Sequence, residues 1–171
     1  MSVRLAAGGD ATSAGADAAM AASGGAVTDQ VRTLAVLGAT LAAQGKTAAA
    51  GPVFERAQVY AQGSKQPGTL LSVCGLQCCA HVFQWDWAGL LARADRLFEL
   101  SSSSGDKLHQ CLSLGFRAWA QGHLGQGSDA RNLRARMGRM AHALGGALML
   151  DEWFDAADAE LALLDQRYEE A

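Results

Sequence analysis

Three cysteine and histidine side chains in the middle of the chain have the spacing of metal ligands. Cys74, Cys78 and His81 stand at i, i+4 and i+7, which would place them on one face of a helix. Thiolates and imidazoles are the ligands that zinc prefers, and His109 and Cys111 could approach from a later helix. Structural zinc sites usually draw ligands from C-x2-C turns, which this sequence lacks.

Packing explains these cysteines more simply than ligation does. A buried free cysteine behaves as a small apolar residue, and Cys74 and Cys78 fall at packing positions of the helical pattern described below. Cys79 lies on another face, where we expect a more exposed thiol. We therefore predict no bound metal, and four cysteines without a secreted framework indicate a cytoplasmic protein.

A second candidate is a partial nucleotide-binding loop at Thr40–Thr47. Gly45, Lys46 and Thr47 match the end of the phosphate-binding motif G-x4-G-K-[ST], but Thr40 replaces its first glycine. The preceding residues have helical spacing, whereas the motif follows a strand. We interpret the segment as a turn between two helices and predict no cofactor.

The four histidines do not form a recognisable catalytic pattern. His81, His109, His123 and His142 are scattered, and no Ser/His/Asp order or paired carboxylate spacing accompanies them. We predict no catalytic residue, so that the chain itself is not an enzyme.

Charged residues cluster by sign in the last third of the chain. Arg131, Arg134, Arg136 and Arg139 put four cations on one predicted helix, and Asp151–Glu170 contains eight acids. The simplest interpretation is that neighbouring helices complement each other across a solvated face. The alternative is that the arginines bind an acidic peptide or a phosphate.

The tryptophans supply a further candidate surface. Trp119 and Trp153 are expected in the core or at helix junctions. Trp85 falls in a predicted turn and Trp87 follows it, so that one of the two should be partly exposed. An exposed tryptophan on a helical protein is a reasonable contact for a protein partner.

Composition limits the architecture and the partners. The chain has 171 residues, 50% of them hydrophobic, and only 2 prolines, which favours one domain of long helices. A net charge of −3 gives no case for nucleic acid binding. Residues 66–85 carry no formal charge, but Pro67 and several polar residues lower their hydropathy, so we predict no membrane span.

Two regions differ in pattern. Residues 1–26 are rich in Ala, Gly and Ser and are predicted to be a disordered arm. From Val27 the apolar residues recur at helical spacing, with glycines ending the runs at Gly45, Gly63, Gly105 and Gly145. Ser101–Gly105 has the composition of a loop, and a last helix is predicted over Asp151–Leu164.

The helical pattern repeats at about 40 residues. A shift of that length takes Gly38 to Cys78 and Ala118, Leu34 to Cys74 and Leu114, and Gly45 to Trp85 and Gly125. The pattern predicts three helical hairpins before the last helix.

The first hairpin resembles the tetratricopeptide repeat. Leu34, Leu37, Gly38 and Leu41 follow the first-helix pattern W-x2-L-G-x2-Y, with leucines for the aromatics, and Ala50, Phe54 and Ala57 follow the second. Residues 68–164 are similar to the C-terminal helical arrays of large bacterial ATPase/nucleotide-cyclase or LuxR-type regulators. Residues 81–85, 93–97 and 117–127 carry that similarity. It implies no catalytic residue here.

Together these features predict an all-α protein of about seven helices, stacked as antiparallel hairpins in a solenoid. The helical domain would span 27–171 and be truncated within its last repeat. The expected function is protein or peptide binding, or contact with adjacent domains, within a bacterial signalling regulator. The alternative is a fragment of a multidomain ATPase or cyclase. An open C-terminal end would also favour self-association.

Deletion of residues 2–26 should leave the thermal unfolding midpoint nearly unchanged, because Ala, Gly and Ser bury little apolar surface. Calorimetry of the full and shortened chains measures the difference. A fall of many degrees would show that these residues pack on the helices.

Overall fold

Seven α-helices account for most of the residues that the structure describes, namely 27–64, 66–146, 148 and 150–164. The structure is a computed structural model. The helices are α1 (Val27–Ala43), α2 (Thr47–Gly63), α3 (Pro67–Phe83), α4 (Trp87–Ser104), α5 (Lys107–His123), α6 (Gly127–Ala143) and α7 (Asp151–Leu164). The described residues contain no strand, so the all-α fold class is confirmed. The predicted arm at 1–26 lies outside them.

The helices recur at the predicted interval. α1, α3 and α5 begin at residues 27, 67 and 107, and α2, α4 and α6 begin at 47, 87 and 127. Burial follows the same register, because equivalent positions of successive helices are buried together: Leu34, Cys74 and Leu114; Gly38, Cys78 and Ala118; Ala57, Leu97 and Met137. The prediction of a last helix over Asp151–Leu164 is also confirmed.

Most helix ends use one residue in the left-handed conformation. Gly45, Gly105, Gly125 and Gly145 have φ of 73°, 73°, 79° and 111°. The next residue donates its backbone N–H to the carbonyl five residues back, at 2.8–2.9 Å, in the pairs Lys46–Leu41, Asp106–Ser101, Gln126–Gln121 and Gly146–Ala141. This geometry caps the helix C-terminus, and after Gly45, Gly105 and Gly125 the next helix begins two residues later.

The prediction of a loop at Ser101–Gly105 is wrong for its first four residues. Ser101–Ser104 form the last turn of α4. Ser101 and Ser103 hydrogen-bond the carbonyls of Phe98 and Leu100, and Ser101 is fully buried. Serine hydroxyls can satisfy themselves on the preceding helical turn, so a serine run does not by itself end a helix.

The chain divides into two compact units, Met1–Trp85 and Asp86–Ala171. In the first unit α1 packs against both α2 and α3. Its core is made of alanines and a few larger residues such as Leu34 and Phe54. A Cβ at Gly38 would lie 3.0 Å from the Phe54 ring, so the missing side chain lets the ring approach the α1 backbone.

In the second unit α5 is the central helix and packs against α4, α6 and α7. Phe154 of α7 lies over Gly115, where a Cβ would come within 2.6 Å of its ring. Phe154 also meets Phe116 edge to face, with ring centroids 5.3 Å apart. A glycine in mid-helix thus provides the site at which α7 docks.

Aspartate side chains cap two helices of this unit. Asp86 accepts a hydrogen bond from the Gly89 N–H at 2.9 Å, and Asp106 accepts one from the His109 N–H at 3.0 Å. Burial opposes ionisation of Asp106, but the hydrogen bonds from the His109 backbone and ring outweigh it and lower the pKa of this carboxyl. Each cap satisfies a backbone donor that the helix leaves unpaired.

The repeat register identifies a helix that lacks such a cap. Gln126 precedes α6 with φ −100° and ψ 51°, close to the −90° and 80° of Asp86, and makes no side-chain cap bond. Gln126→Asp should therefore raise the free energy of unfolding by about 0.5–2 kcal/mol in urea titrations. Gln126→Ala is the control and should give no gain. An equal stability of the two variants would show that equivalent positions do not share backbone geometry.

Candidate functional site

Trp85 has the least favourable conformation and exposure of the four tryptophans. Its φ is 56°, in the left-handed region where the equivalent Gly45 and Gly125 also lie. Its side chain is 68% exposed. A non-glycine residue in this conformation costs about 1–2 kcal/mol. The partial exposure predicted for Trp85 or Trp87 is therefore confirmed at Trp85.

Trp87 belongs instead to an aromatic cluster inside the second unit. Its ring stacks on His123 of α5, with centroids 3.7 Å apart and an interplanar angle of 1°. The Trp119 ring lies 6.0 Å from Trp87 at a tilt of 39°. These contacts join the first turn of α4 to the last turns of α5.

A carboxylate of α7 completes this cluster. Glu160 Oε2 accepts a hydrogen bond from Trp119 Nε1 at 3.0 Å and lies 3.2 Å from His123 Nε2. This arrangement has no signal in the sequence, because its members come from three helices and share no local pattern. The cluster fastens α7 to α5 through polar contacts beside the Phe154 packing.

The arginines of α6 are divided between two environments. Arg134 pairs with both Asp155 and Asp158 of α7, at 2.7 Å each. The predicted complementarity between the basic and acidic helices is thus present at Arg134. Arg131, Arg136 and Arg139 are exposed.

Arg136 lies beside an aromatic ring rather than a carboxylate. Its guanidinium carbon is 5.5 Å from the centroid of Phe98 on α4. Arg117 of α5 lies 5.4 Å from the same ring, and its Nε is 2.7 Å from Asp95 Oδ1. Neither Phe98 nor Arg117 was identified from the sequence as a site residue.

All four cysteines are buried and free. The expectation of an exposed Cys79 is wrong, since it is only 8% exposed. Burial raises the pKa of its thiol to about 11, and burial together with the Asp151 carboxylate also raises the pKa of Cys111. Such thiols remain protonated and poorly nucleophilic at neutral pH.

Neither the metal nor the nucleotide pattern forms a site in the described part of the chain. There, no three Cys, His, Asp or Glu side chains come together as metal ligands. Gly45 and Lys46 form the turn between α1 and α2, so the segment before Lys46 is a helix and not the strand of a phosphate-binding loop. Among the described residues, no helix has the length and apolarity needed to cross a membrane.

Comparisons with protein-family models, with curated proteins and with solved structures find no match to this chain. The resemblance to tetratricopeptide arrays and bacterial regulators therefore stays a prediction from the sequence.

Removal of the Glu160 carboxylate should loosen α7. Glu160→Ala leaves the Trp119 indole N–H without its acceptor and removes the carboxylate that lies 3.2 Å from His123 Nε2, which should cost about 1–3 kcal/mol of unfolding free energy. Amide exchange across α7 should accelerate as well. Glu152→Ala, an exposed change on the same helix, is the control. Equal effects of the two variants would show that the Glu160 contacts do not hold α7.

Proposed function

We propose that this chain is a noncatalytic helical module that binds a protein or peptide partner, within the cytoplasmic part of a bacterial signalling regulator. The observation that supports the proposal most directly is Trp85. The backbone conformation at this turn favours glycine, because glycine adopts the left-handed region without strain. The chain instead has a large aromatic residue there, with two thirds of its surface exposed.

Local strain together with an exposed aromatic ring is typical of a binding residue. Strained backbone positions tend to occur at functional sites. Tryptophan is also enriched among the residues that contribute most to protein interfaces. Phe83, two residues earlier at the end of α3, is exposed too, and no formal charge occurs between residues 66 and 85. An apolar contact on the partner would therefore suit this turn.

Trp85→Gly should separate folding from binding. The substitution relieves the left-handed strain, so we expect the free energy of unfolding to rise by about 1 kcal/mol in urea titrations. The same variant should lose the partner, as measured by affinity capture from a lysate of the native organism followed by quantitative mass spectrometry.

Val59→Ser is the matched control, because Val59 is 66% exposed on α2 and its change also removes exposed apolar surface. A protein retained by the wild type and by Val59→Ser, but not by Trp85→Gly, would support the proposal. Identical retention by all three chains, or a loss of stability in Trp85→Gly, would contradict it.

A further inference from the structure

The arginines on the two sides of α6 differ in whether a carboxylate pairs with them. On the flank that faces α7, Arg134 is engaged by two aspartates at 2.7 Å. On the flank that faces α4, Arg136 lies against the Phe98 ring. Arg139 follows Arg136 by one helical turn and is exposed. Among the described residues, no carboxylate lies within ion-pair distance of Arg136 or Arg139.

The Phe98 ring positions Arg136 without neutralising it. A guanidinium over an aromatic face is attracted by the ring quadrupole, and its in-plane N–H donors remain available. Arg117 lies against the same ring, but its charge is already met by Asp95 and its side chain is only 23% exposed. Arg136 is therefore the cation of this group that can accept a new anionic partner.

We propose that Arg136 and Arg139, supported by Phe98, form a binding face for an acidic peptide; this deepens the proposed function by naming the chemistry of a partner. Arginine binds carboxylates through parallel N–H donors, and a preoriented guanidinium loses less conformational entropy on binding. Two arginines one helical turn apart match two carboxylates at short spacing on a peptide. We call these three residues the arginine–phenylalanine face.

The charges around this face favour a peptide over a nucleic acid. Asp95 and Glu99 lie on α4 beside Phe98, and the whole chain has a net charge of −3. Nucleic acid affinity depends on neutralising many phosphates, and carboxylates close to the arginines would repel a continuous polyphosphate. A short peptide can place a few carboxylates on the arginines and avoid the acids of α4.

Fluorescence anisotropy of the whole chain with a fluorescein-labelled Glu-Ala repeat peptide tests the proposal. A Gln-Ala peptide of the same length and a labelled single-stranded oligonucleotide are the comparison probes. We expect measurable binding of the Glu peptide alone, weakened by added salt. Arg136→Gln should weaken it about tenfold, and Arg136→Lys should weaken it several-fold because lysine keeps the charge but lacks the planar fork.

Arg131→Gln is the matched control, since it removes the same charge from the exposed surface of the same helix. Equal losses in Arg131→Gln and Arg136→Gln would overturn the proposal in favour of general charge attraction. Equal binding of the Glu and Gln peptides, or tighter binding of the oligonucleotide, would also overturn it.

The outcome is separable from that for Trp85. Trp85→Gly should bind the Glu peptide as the wild type does, because the arginine–phenylalanine face lies wholly within the second unit. If the chain binds the Glu peptide but Trp85→Gly captures the same partners as the wild type, only the proposed Trp85 contact is contradicted. Failure of the peptide assay would leave the capture result unaffected.

Discussion

The left-handed residue after a helix is the constraint on which the helical pattern of this chain depends. Helices α1 to α6, mostly of 17 residues, are joined by turns of two or three residues. Several of these turns are closed by one residue with a positive φ and a hydrogen bond from the next residue to the last helical turn. Glycine takes this conformation at residues 45, 105 and 125, with φ of 73°, 73° and 79°. A side chain in this conformation costs about 1–2 kcal/mol, and Trp85, with a φ of 56°, is the non-glycine residue among these helix ends.

Features set by local chemistry could be predicted from the sequence. Glycines mark the helix ends, and apolar residues at helical spacing mark the buried faces, so the helix register and the extent of α7 were found without knowledge of tertiary contacts. Ser101–Ser104 could not be assigned in this way. Their helical conformation is supported by hydroxyl bonds to the preceding turn and by Gln110 Nε2, which donates to the Ser101 carbonyl at 3.0 Å. The same limit explains Cys79, whose burial depends on packing that its position in the sequence does not reveal.

Some features of the candidate sites could be predicted from local sequence, whereas others depend on contacts between helices. The exposure of Trp85 follows from its place in a turn, and Arg134 finds the acidic helix that composition predicted for it. By contrast, the stacking of Trp87 on His123 and the contacts of Glu160 join residues from α4, α5 and α7. No spacing rule connects such positions, because each depends on how separate helices meet. Phe98 escapes sequence analysis for the same reason, since its importance lies in the two guanidiniums that reach it from other helices.

Arg134 and Arg136 lie on the same helix but in different environments, one paired with carboxylates and the other against an aromatic ring. Exposed ion pairs contribute about 0–1 kcal/mol each, and the two bridges of Arg134 join α6 to α7. Arg136 has no carboxylate partner in the described residues and lies against the Phe98 ring instead. A guanidinium over an aromatic face contributes about 0.5–1 kcal/mol at an exposed site, and its N–H donors stay available. The proposed acidic peptide is therefore assigned to the side of α6 that bears Arg136, because Arg134 on the other side is already engaged by two aspartates of α7.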